Sequence, residues 1–163
     1  GNKTESACGY YTHFDMNFSF APIKDLYKYQ VMDIAKSHAA IPSNIWQKPP
    51  SAELAEGQTD EASLLPYSVL DPIVAAQIES YVSTIDEFHE WTATNGVNFS
   101  SDPQQLNIWL NGTSAHQDYQ RIISMIGRME YKRRQTCPGT KVSRVAFGIG
   151  RRLPIVEKWS SQR

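Results

Sequence analysis

A mostly α-helical fold is predicted for this 163-residue chain from three observations. Apolar side chains recur at three- and four-residue spacing in the longer segments, which is typical of helices that bury one face. Helix-start signals precede several of these segments, and strand-type alternation is rare. The length suits a single domain, and the 40% hydrophobic and 20% charged residues are typical of an ordinary globular protein.

The first clear amphipathic helix is predicted over residues 23–36. Before it, residues 1–11 have the pattern of a loop that enters a helix, with Thr4 and Glu5 near the helix start. Because the chain opens in the middle of this motif, we expect an upstream portion to precede it. The predicted apolar face of the 23–36 helix consists of Ile23, Leu26, Tyr27, Val31, Ile34 and Ala35.

A polar, acidic loop follows the Lys48-Pro49-Pro50 run and is predicted to span residues 51–67 as a mobile loop. Long loops with little apolar content are often lids or binding loops. Disorder without a function is the alternative interpretation, and the sequence does not decide between the two.

Four further helices are predicted after residue 70. Asp71 followed by Pro72 has the pattern of a helix start, with a capping side chain before a proline at the first helical position. Shorter helices are expected over 83–91 and 103–110, with a loop over 92–102 between them.

The longest helix is predicted over residues 114–134, because Ser114 and Gln117 have the capping-box spacing. Residues 135–163 are expected to form a basic, irregular C-terminal segment, punctuated by glycine and proline. The predicted core face of the long helix consists of Tyr119, Ile122, Ile123, Ile126 and Met129.

Charge is unevenly distributed, although the formal net charge is only −1. Residues 51–118 contain no Lys or Arg, whereas residues 121–163 contain most of the basic side chains. A basic block of this kind can attract phosphates. A solvated basic surface, or a basic end that docks on the acidic middle, explains it without a ligand and is the commoner case for such charge blocks.

Several function classes receive no support from the sequence. The two cysteines and four histidines lie far apart, without metal-type spacing or a nucleophile–base arrangement. No apolar stretch is long enough for a membrane span, and the N-terminal residues have no signal-peptide layout. We therefore expect a cytoplasmic protein that binds neither membrane nor nucleic acid.

Three polar clusters remain as candidates for chemistry: residues 1–5, Lys28 and residues 131–134. A carboxylate at a loop-to-helix entry can hold Mg²⁺, while lysine and arginine can bind phosphate. A capping glutamate, a solvated lysine and a basic helix end explain the same residues structurally. Taken singly, these clusters do not establish a site.

The order and the residues of seven short motifs favour a functional over a purely structural interpretation. GNKTE, FAPIKDLYK, KPPSAEL, GQTDE, EYKRRQ, PGTKVS and RVAFGIGRRLPI occur in that order and extend over nearly the whole chain. Together they resemble the C-terminal half of the synthetase domain of the NAD synthetase family. The FAPIKDL wording and the YKRRQ ending resemble the glutamine-dependent branch more than the branch that uses free ammonia.

This resemblance implies an α/β class: the C-terminal half of a Rossmann-like, PP-loop adenine-nucleotide-hydrolase fold, of which this chain supplies mostly helices. It also implies an ATP-dependent ligase that amidates deamido-NAD to NAD through an adenylate. ATP would be the co-substrate, Mg²⁺ the metal and glutamine the source of ammonia. Relatives dimerise, so the resemblance implies a homodimer.

The resemblance also implies roles for individual residues. Glu5 matches a Mg²⁺-binding glutamate, and Lys28 and Ser51 match residues that bind ATP. Lys132 matches a lysine that reaches deamido-NAD and is the candidate catalytic residue. The remaining candidates for substrate binding are Tyr131 beside it, Asp60 and Glu61 in the mobile loop, and His13.

Two departures from the family pattern stand out. A glycine is missing before Asp15-Met16, and the SGGxDS phosphate loop does not occur in these 163 residues. The sequence therefore predicts a partial synthetase domain over 1–163, without the phosphate-loop half and the glutaminase domain, and inactive alone. A non-catalytic nucleotide-binding or interaction module and a free-ammonia synthetase are the two alternatives.

Overall fold

The computed structural model of the protein describes residues 1–12, 19–52, 54–136 and 139–145. Within these ranges the chain forms nine helices and no strand, in agreement with the predicted helical content. The helices are α1 (Lys3–Cys8), α2 (Lys28–Ser37), α3 (Ser43–Gln47), α4 (Asp60–Ser63), α5 (Tyr67–Ser80), α6 (Ile85–Phe99), α7 (Pro103–Leu110), α8 (Ala115–Arg128) and α9 (Glu130–Arg133).

Helix α5 forms the centre of the fold and packs against α1, α2, α6, α7 and α8. Its sequence is apolar around most of its circumference, as expected of a helix with neighbours on every side. The fully buried side chains on α5 include Val69, Leu70, Ile73, Val74 and Ile78. They join a single core cluster with Phe88 and Trp91 of α6, Leu106 and Leu110 of α7, and Tyr119, Ile122 and Ile126 of α8.

The predicted helix start at Asp71-Pro72 is wrong. Helix α5 begins at Tyr67, so Pro72 lies inside the helix and Asp71 is fully buried. A proline inside a helix cannot donate to the carbonyl four residues earlier, which is that of Ser68. The hydroxyl of Ser100 donates to that carbonyl at 2.6 Å, and this bond replaces the missing one.

The two helices after α5 match the prediction unequally. Helix α7 runs from Pro103 to Leu110 as predicted, and the carboxylate of Asp102 caps it. Helix α6 continues to Phe99, so the predicted loop over 92–102 is mostly helical. The polar residues in this stretch indicated a loop, but Gly96 is buried on α6 and packs against α7.

The predicted helix over 114–134 is divided at Met129 into α8 and α9. Tyr119, Ile122 and Ile126 are buried as predicted, while Ile123 is partly buried against the core. The predicted capping box is wrong, because the side chain of Ser114 caps no backbone N–H of α8.

The predicted apolar face of the 23–36 helix is also wrong. Helix α2 begins only at Lys28 and buries none of its ten residues. Ile23 is 39% exposed and Ile34 is 52% exposed, whereas Tyr27, just before the helix, is buried. Helical spacing identified a helix here, but only the packing of α2 on α5 decides how far each side chain is covered.

Residues 139–145 dock on the turn that precedes α2. The carboxylate of Asp25 accepts hydrogen bonds from the backbone N–H groups of Val142 and Ser143, at 2.8 and 2.7 Å. Asp25 also pairs with the buried amine of Lys3 at 3.0 Å. Burial alone would raise the pKa of Asp25, but the hydrogen bonds from Ser143, Lys3 and Val142 outweigh it and lower that pKa.

The helices that the structure describes include none that is both long and apolar enough to cross a lipid bilayer.

Candidate functional site

Helix α1 fixes the position of Glu5 through a capping box. The side chain of Asn2 accepts from the backbone N–H of Glu5 at 2.9 Å, and the carboxylate of Glu5 accepts from the backbone N–H of Asn2 at 3.1 Å. These reciprocal bonds satisfy donors that a helix start leaves unpaired. The carboxylate of Glu5 is therefore held at the first turn.

Lys28, the first residue of α2, reaches this carboxylate. Its amine lies 3.3 Å from Oε1 of Glu5, and both side chains are about one-fifth exposed. The same amine lies 5.1 Å from the centre of the Tyr67 ring, at the start of α5. Lys28 is therefore held between a carboxylate and an aromatic face while remaining accessible to a ligand.

The loop that contains Ser51 closes on itself beside this pair. The hydroxyl of Ser51 donates to the carbonyl of Gln58 at 2.5 Å, and the backbone N–H of Asp60 donates to the carbonyl of Pro50 at 2.9 Å. These bonds join the two ends of the loop, so the loop forms a compact turn beside Glu5 and Lys28. The short helix α4 then begins at Asp60, within the stretch predicted as loop.

Asp60 is a buried carboxylate with one satisfied oxygen. Its Oδ2 accepts from the hydroxyl of Tyr67 at 3.0 Å, whereas its Oδ1 is buried without a hydrogen-bond partner among the described residues. Burial, then the charges of Glu5 and Asp60, raise the pKa of the Tyr67 phenol, so it stays protonated and donates. Tyr67 thus contacts both Asp60 and Lys28.

Lys132 of α9 approaches from the opposite side. Its amine donates to the backbone carbonyls of Gly9 and Tyr11, at 2.8 and 2.9 Å, and lies 5.2 Å from the centre of the Tyr11 ring. Gly9 ends α1 with a φ of +64°, and a Cβ there would lie 2.6 Å from Met129. A glycine is therefore required where α1 meets α9.

These groups line two adjoining cavities. One has a volume of about 660 Å³ and is lined by Glu5, Ser51, Asp60 and Lys132, together with residues 9–12. The other, of about 270 Å³, shares the first three of these residues and adds Lys28 and Lys48. Residues far apart in sequence therefore meet in one cleft.

The sequence-predicted candidates separate into three groups. Glu5, Lys28, Ser51, Asp60 and Lys132 line the cleft. Glu61 is exposed on α4 and Tyr131 is 51% exposed on α9, and neither lines these two cavities. His13, and the missing-glycine position before Asp15, lie outside the described residues.

Sequence reasoning missed Tyr67 and Asp71, which contact the site from α5. Tyr67 follows a proline and gave no sequence signal of its own. The sequence predicts Asp71 as the cap of the helix that follows it. Asp71 does cap a helix, but that helix is α2. Its Oδ2 accepts from the backbone N–H of Tyr29, in the first turn of α2.

The donor set of the cleft suits a magnesium ion. The described residues contain no cluster of three or more His, Cys, Asp or Glu side chains placed to hold a metal, so an ion in this cleft would have fewer protein ligands than that. Mg²⁺ is commonly bound through one or two carboxylates while it keeps waters and substrate phosphates. Glu5 and Asp60 provide two carboxylates that line the same cavities.

Comparison with known protein families gives the same assignment as the motifs. Residues 1–136 match the family described as NAD synthase. The chain belongs to the NAD synthase family. All five cleft residues lie within the matched range, whereas the end of the C-terminal segment lies beyond it.

Curated relatives carry the name glutamine-dependent NAD(+) synthetase. The relative from Xanthomonas campestris is 37% identical over 99% of this chain and 27% of its own length. Those from Synechocystis and Thermotoga maritima are each 36% identical, over 99% and 98% of this chain and over 26% and 25% of their own lengths. The chain therefore spans about a quarter of the length of these relatives.

Proposed function

We propose that the cleft binds ATP and magnesium in an enzyme that amidates deamido-NAD to NAD, with ammonia taken from glutamine. The observation that supports this proposal most directly is the convergence of Glu5 of α1, Lys28 of α2, and Ser51 and Asp60 at the two ends of one loop, on the smaller cavity. The name of the relatives, glutamine-dependent NAD(+) synthetase, supports the proposed reaction, and the lysines and hydroxyl that line the cleft support a phosphate site there.

The charges of the cleft suit a nucleoside triphosphate. Lys28, Lys48 and Lys132 bring three positive charges to the two cavities, and Glu5 and Asp60 bring two negative ones. Lysine acts on phosphate as a point charge, and its attraction is strengthened where water is partly excluded. The hydroxyl of Ser51 adds a neutral donor at the same wall.

In this proposal Lys28 and Lys132 have distinct tasks. Lys28 orients the phosphates of ATP from the mouth of the smaller cavity. Lys132 contacts deamido-NAD from the wall formed by Gly9 and Tyr11, with Tyr131 nearby on the surface of α9. Asp60 and Glu61 belong to the segment that covers the substrates, and His13 is the remaining candidate for the dinucleotide.

Magnesium would be held by Glu5 and Asp60. When bound, it would neutralise part of the negative charge on the phosphates of ATP while the adenylyl group is transferred and pyrophosphate leaves. The chain itself contributes positioning: the capping box holds Glu5, and the phenol of Tyr67 holds Asp60. We further propose that these helices are part of a Rossmann-like PP-loop fold whose phosphate loop is supplied by residues outside this sequence.

The test is an end-point assay on the complete gene product that contains these residues. With deamido-NAD, ATP, Mg²⁺ and glutamine, we expect NAD, AMP and pyrophosphate in equal amounts. Replacing glutamine with ammonium separates the amidation from the supply of ammonia. Binding of ATP and deamido-NAD with no NAD from either nitrogen source would contradict the proposed reaction and indicate a non-catalytic binding module.

A further inference from the structure

Asp71 joins the two helices that present the charged pair of the cleft. It is fully buried on α5, one turn from Tyr67. Its Oδ1 accepts from the hydroxyl of Thr4 on α1 at 2.5 Å, and its Oδ2 accepts from the backbone N–H of Tyr29 on α2 at 2.8 Å. One carboxylate therefore contacts both helices from the central one.

On the α2 side, Asp71 acts as the helix cap. The first backbone N–H groups of a helix have no partner within it. Here the carboxylate of Asp71 accepts from those of Lys28 and Tyr29. Tyr27, at the cap position, instead directs its hydroxyl to Glu79 at 2.9 Å. The side chain of Lys28 thus starts from a backbone that Asp71 fixes.

On the α1 side, the bond from Thr4 fixes the residue that precedes Glu5. Thr4 is fully buried and the side chain of Glu5 points into the cleft, so the two neighbours face opposite environments. A displacement of Thr4 would move the Glu5 carboxylate relative to Lys28. The 3.3 Å contact between these two charges depends on both attachments.

We propose that Asp71 is a positioning residue, which holds the Glu5–Lys28 pair in register for the phosphates of the nucleotide. The inference rests on the proposed function and adds to it a residue that does not touch the substrate. Asp71 acts through hydrogen bonds to the backbone of α2 and to Thr4. Replacement of its carboxylate should therefore weaken the binding of ATP more than it destabilises the rest of the fold.

The first measurement needs no catalytic activity. Acetic anhydride labelling followed by mass spectrometry reports how well each lysine is held. In Asp71→Asn we expect Lys28 to be acetylated about fivefold faster or more, because the pair with Glu5 loosens. Lys36, which is 49% exposed further along α2, is the internal reference and should be unchanged.

The matched control is Ser68→Ala, one turn earlier on the same helix. Ser68 is buried and its hydroxyl contacts Gln105 of α7, so its loss weakens packing without touching α1 or α2. Thr4→Val is a second test variant that removes only the hydroxyl donor to Asp71 and keeps a similar shape. It serves where Asp71→Asn does not fold.

The second measurement is steady-state kinetics on the complete gene product. We expect Asp71→Asn to raise the KM for ATP about tenfold, with a smaller change in the KM for deamido-NAD, and Ser68→Ala to change neither. Unchanged labelling of Lys28 in both Asp71→Asn and Thr4→Val would overturn the inference. Faster labelling with an unchanged KM for ATP would overturn it as well.

Failure of the proposed function gives a different pattern. If the wild-type protein neither binds ATP nor forms NAD, the proposed reaction is wrong. The labelling comparison between Asp71→Asn and Ser68→Ala then decides alone whether Asp71 holds Lys28.

Discussion

The carboxyl of Asp71 lies in the protein interior, where burial raises its pKa to about 7. Hydrogen bonds from Thr4, Tyr29 and Lys28 lower that pKa but do not offset burial. The positive charge of the Lys28 amine also lowers that pKa. Titratable groups that interact with this carboxyl include Cys8, Tyr27, Tyr29 and Tyr67.

We expect this carboxyl to make stability fall as pH rises. In the unfolded chain an aspartate has a pKa of about 3.9, so between about pH 4 and pH 7 the folded protein binds more protons. Its contribution to stability is complete below about pH 4 and is lost as pH rises through about 7.

Urea unfolding of wild type and Asp71→Asn at pH 5 and pH 8 isolates this effect, because other titrations are common to both proteins. We expect the stability of wild type relative to the variant to fall by about 1–3 kcal/mol between these pH values. An equal difference at both pH values would contradict the assignment.

A second prediction concerns the amine of Lys132. Its amine binds two backbone carbonyls at the cleft wall, so Lys132→Ala removes a charge and also loosens the segment after α1. Hydrogen bonds to charged groups are worth roughly 1.5–3 kcal/mol, which corresponds to about a tenfold or larger rise in the KM for deamido-NAD. Arg128→Ala, an exposed basic residue of α8, is the control and should leave the KM unchanged. Identical kinetics in the two variants would remove Lys132 from the site.

Helix α5 contains a proline, and the carbonyl that this proline leaves unpaired is satisfied by a residue from outside the helix. Ser100, just after α6, donates to the carbonyl that Pro72 leaves without its usual partner. We expect Ser100→Ala to destabilise the fold by about 1–3 kcal/mol, because it leaves a buried carbonyl unpaired.

A double-mutant cycle with Pro72→Ala tests this link. In that background the backbone N–H of residue 72 can donate to Ser68, so Ser100→Ala should cost clearly less. Denaturant midpoints of the four proteins give the coupling. Equal costs of Ser100→Ala in both backgrounds would show that the two residues are independent.

Some elements could be predicted from sequence because their signals are local. The helix α7 has its cap, its proline and its apolar residues within one stretch, and its bounds are confirmed. The start of α5 could not be found this way, because Asp71-Pro72 matches a helix start while Asp71 caps α2 through space. The buried face of α2 was missed because helical spacing does not say which neighbour covers the helix.

Individual residues of the candidate site could be predicted only where they lie in the ordered motifs that resemble the family. Glu5, Lys28, Ser51, Asp60 and Lys132 came from that order, and the structure brings them to one cleft. Tyr67 and Asp71 gave no motif signal, since their role arises from the packing of α5 beneath the cleft. Interactions of this kind become visible only in three dimensions.

At the scale of the whole molecule, α5 connects stability and the cleft. It forms the centre of the core, and from one end it contacts Lys28 and Asp60 through Tyr67, and α1 and α2 through Asp71. The described helix with the most buried residues therefore also contacts the charged groups of the cleft. A cleft built this way is held by a rigid scaffold, which favours precise placement of ligand charges.

Calorimetric titration of the complete gene product with ATP and Mg²⁺ measures whether the cleft binds the nucleotide. We expect Lys28→Met to weaken the affinity about tenfold or more, because it removes a cation that the proposal assigns to the phosphates of ATP. Lys36→Met, on the same helix but away from the cleft, should bind as wild type does. Equal affinity of wild type and Lys28→Met for ATP would contradict the proposed ATP site at Lys28.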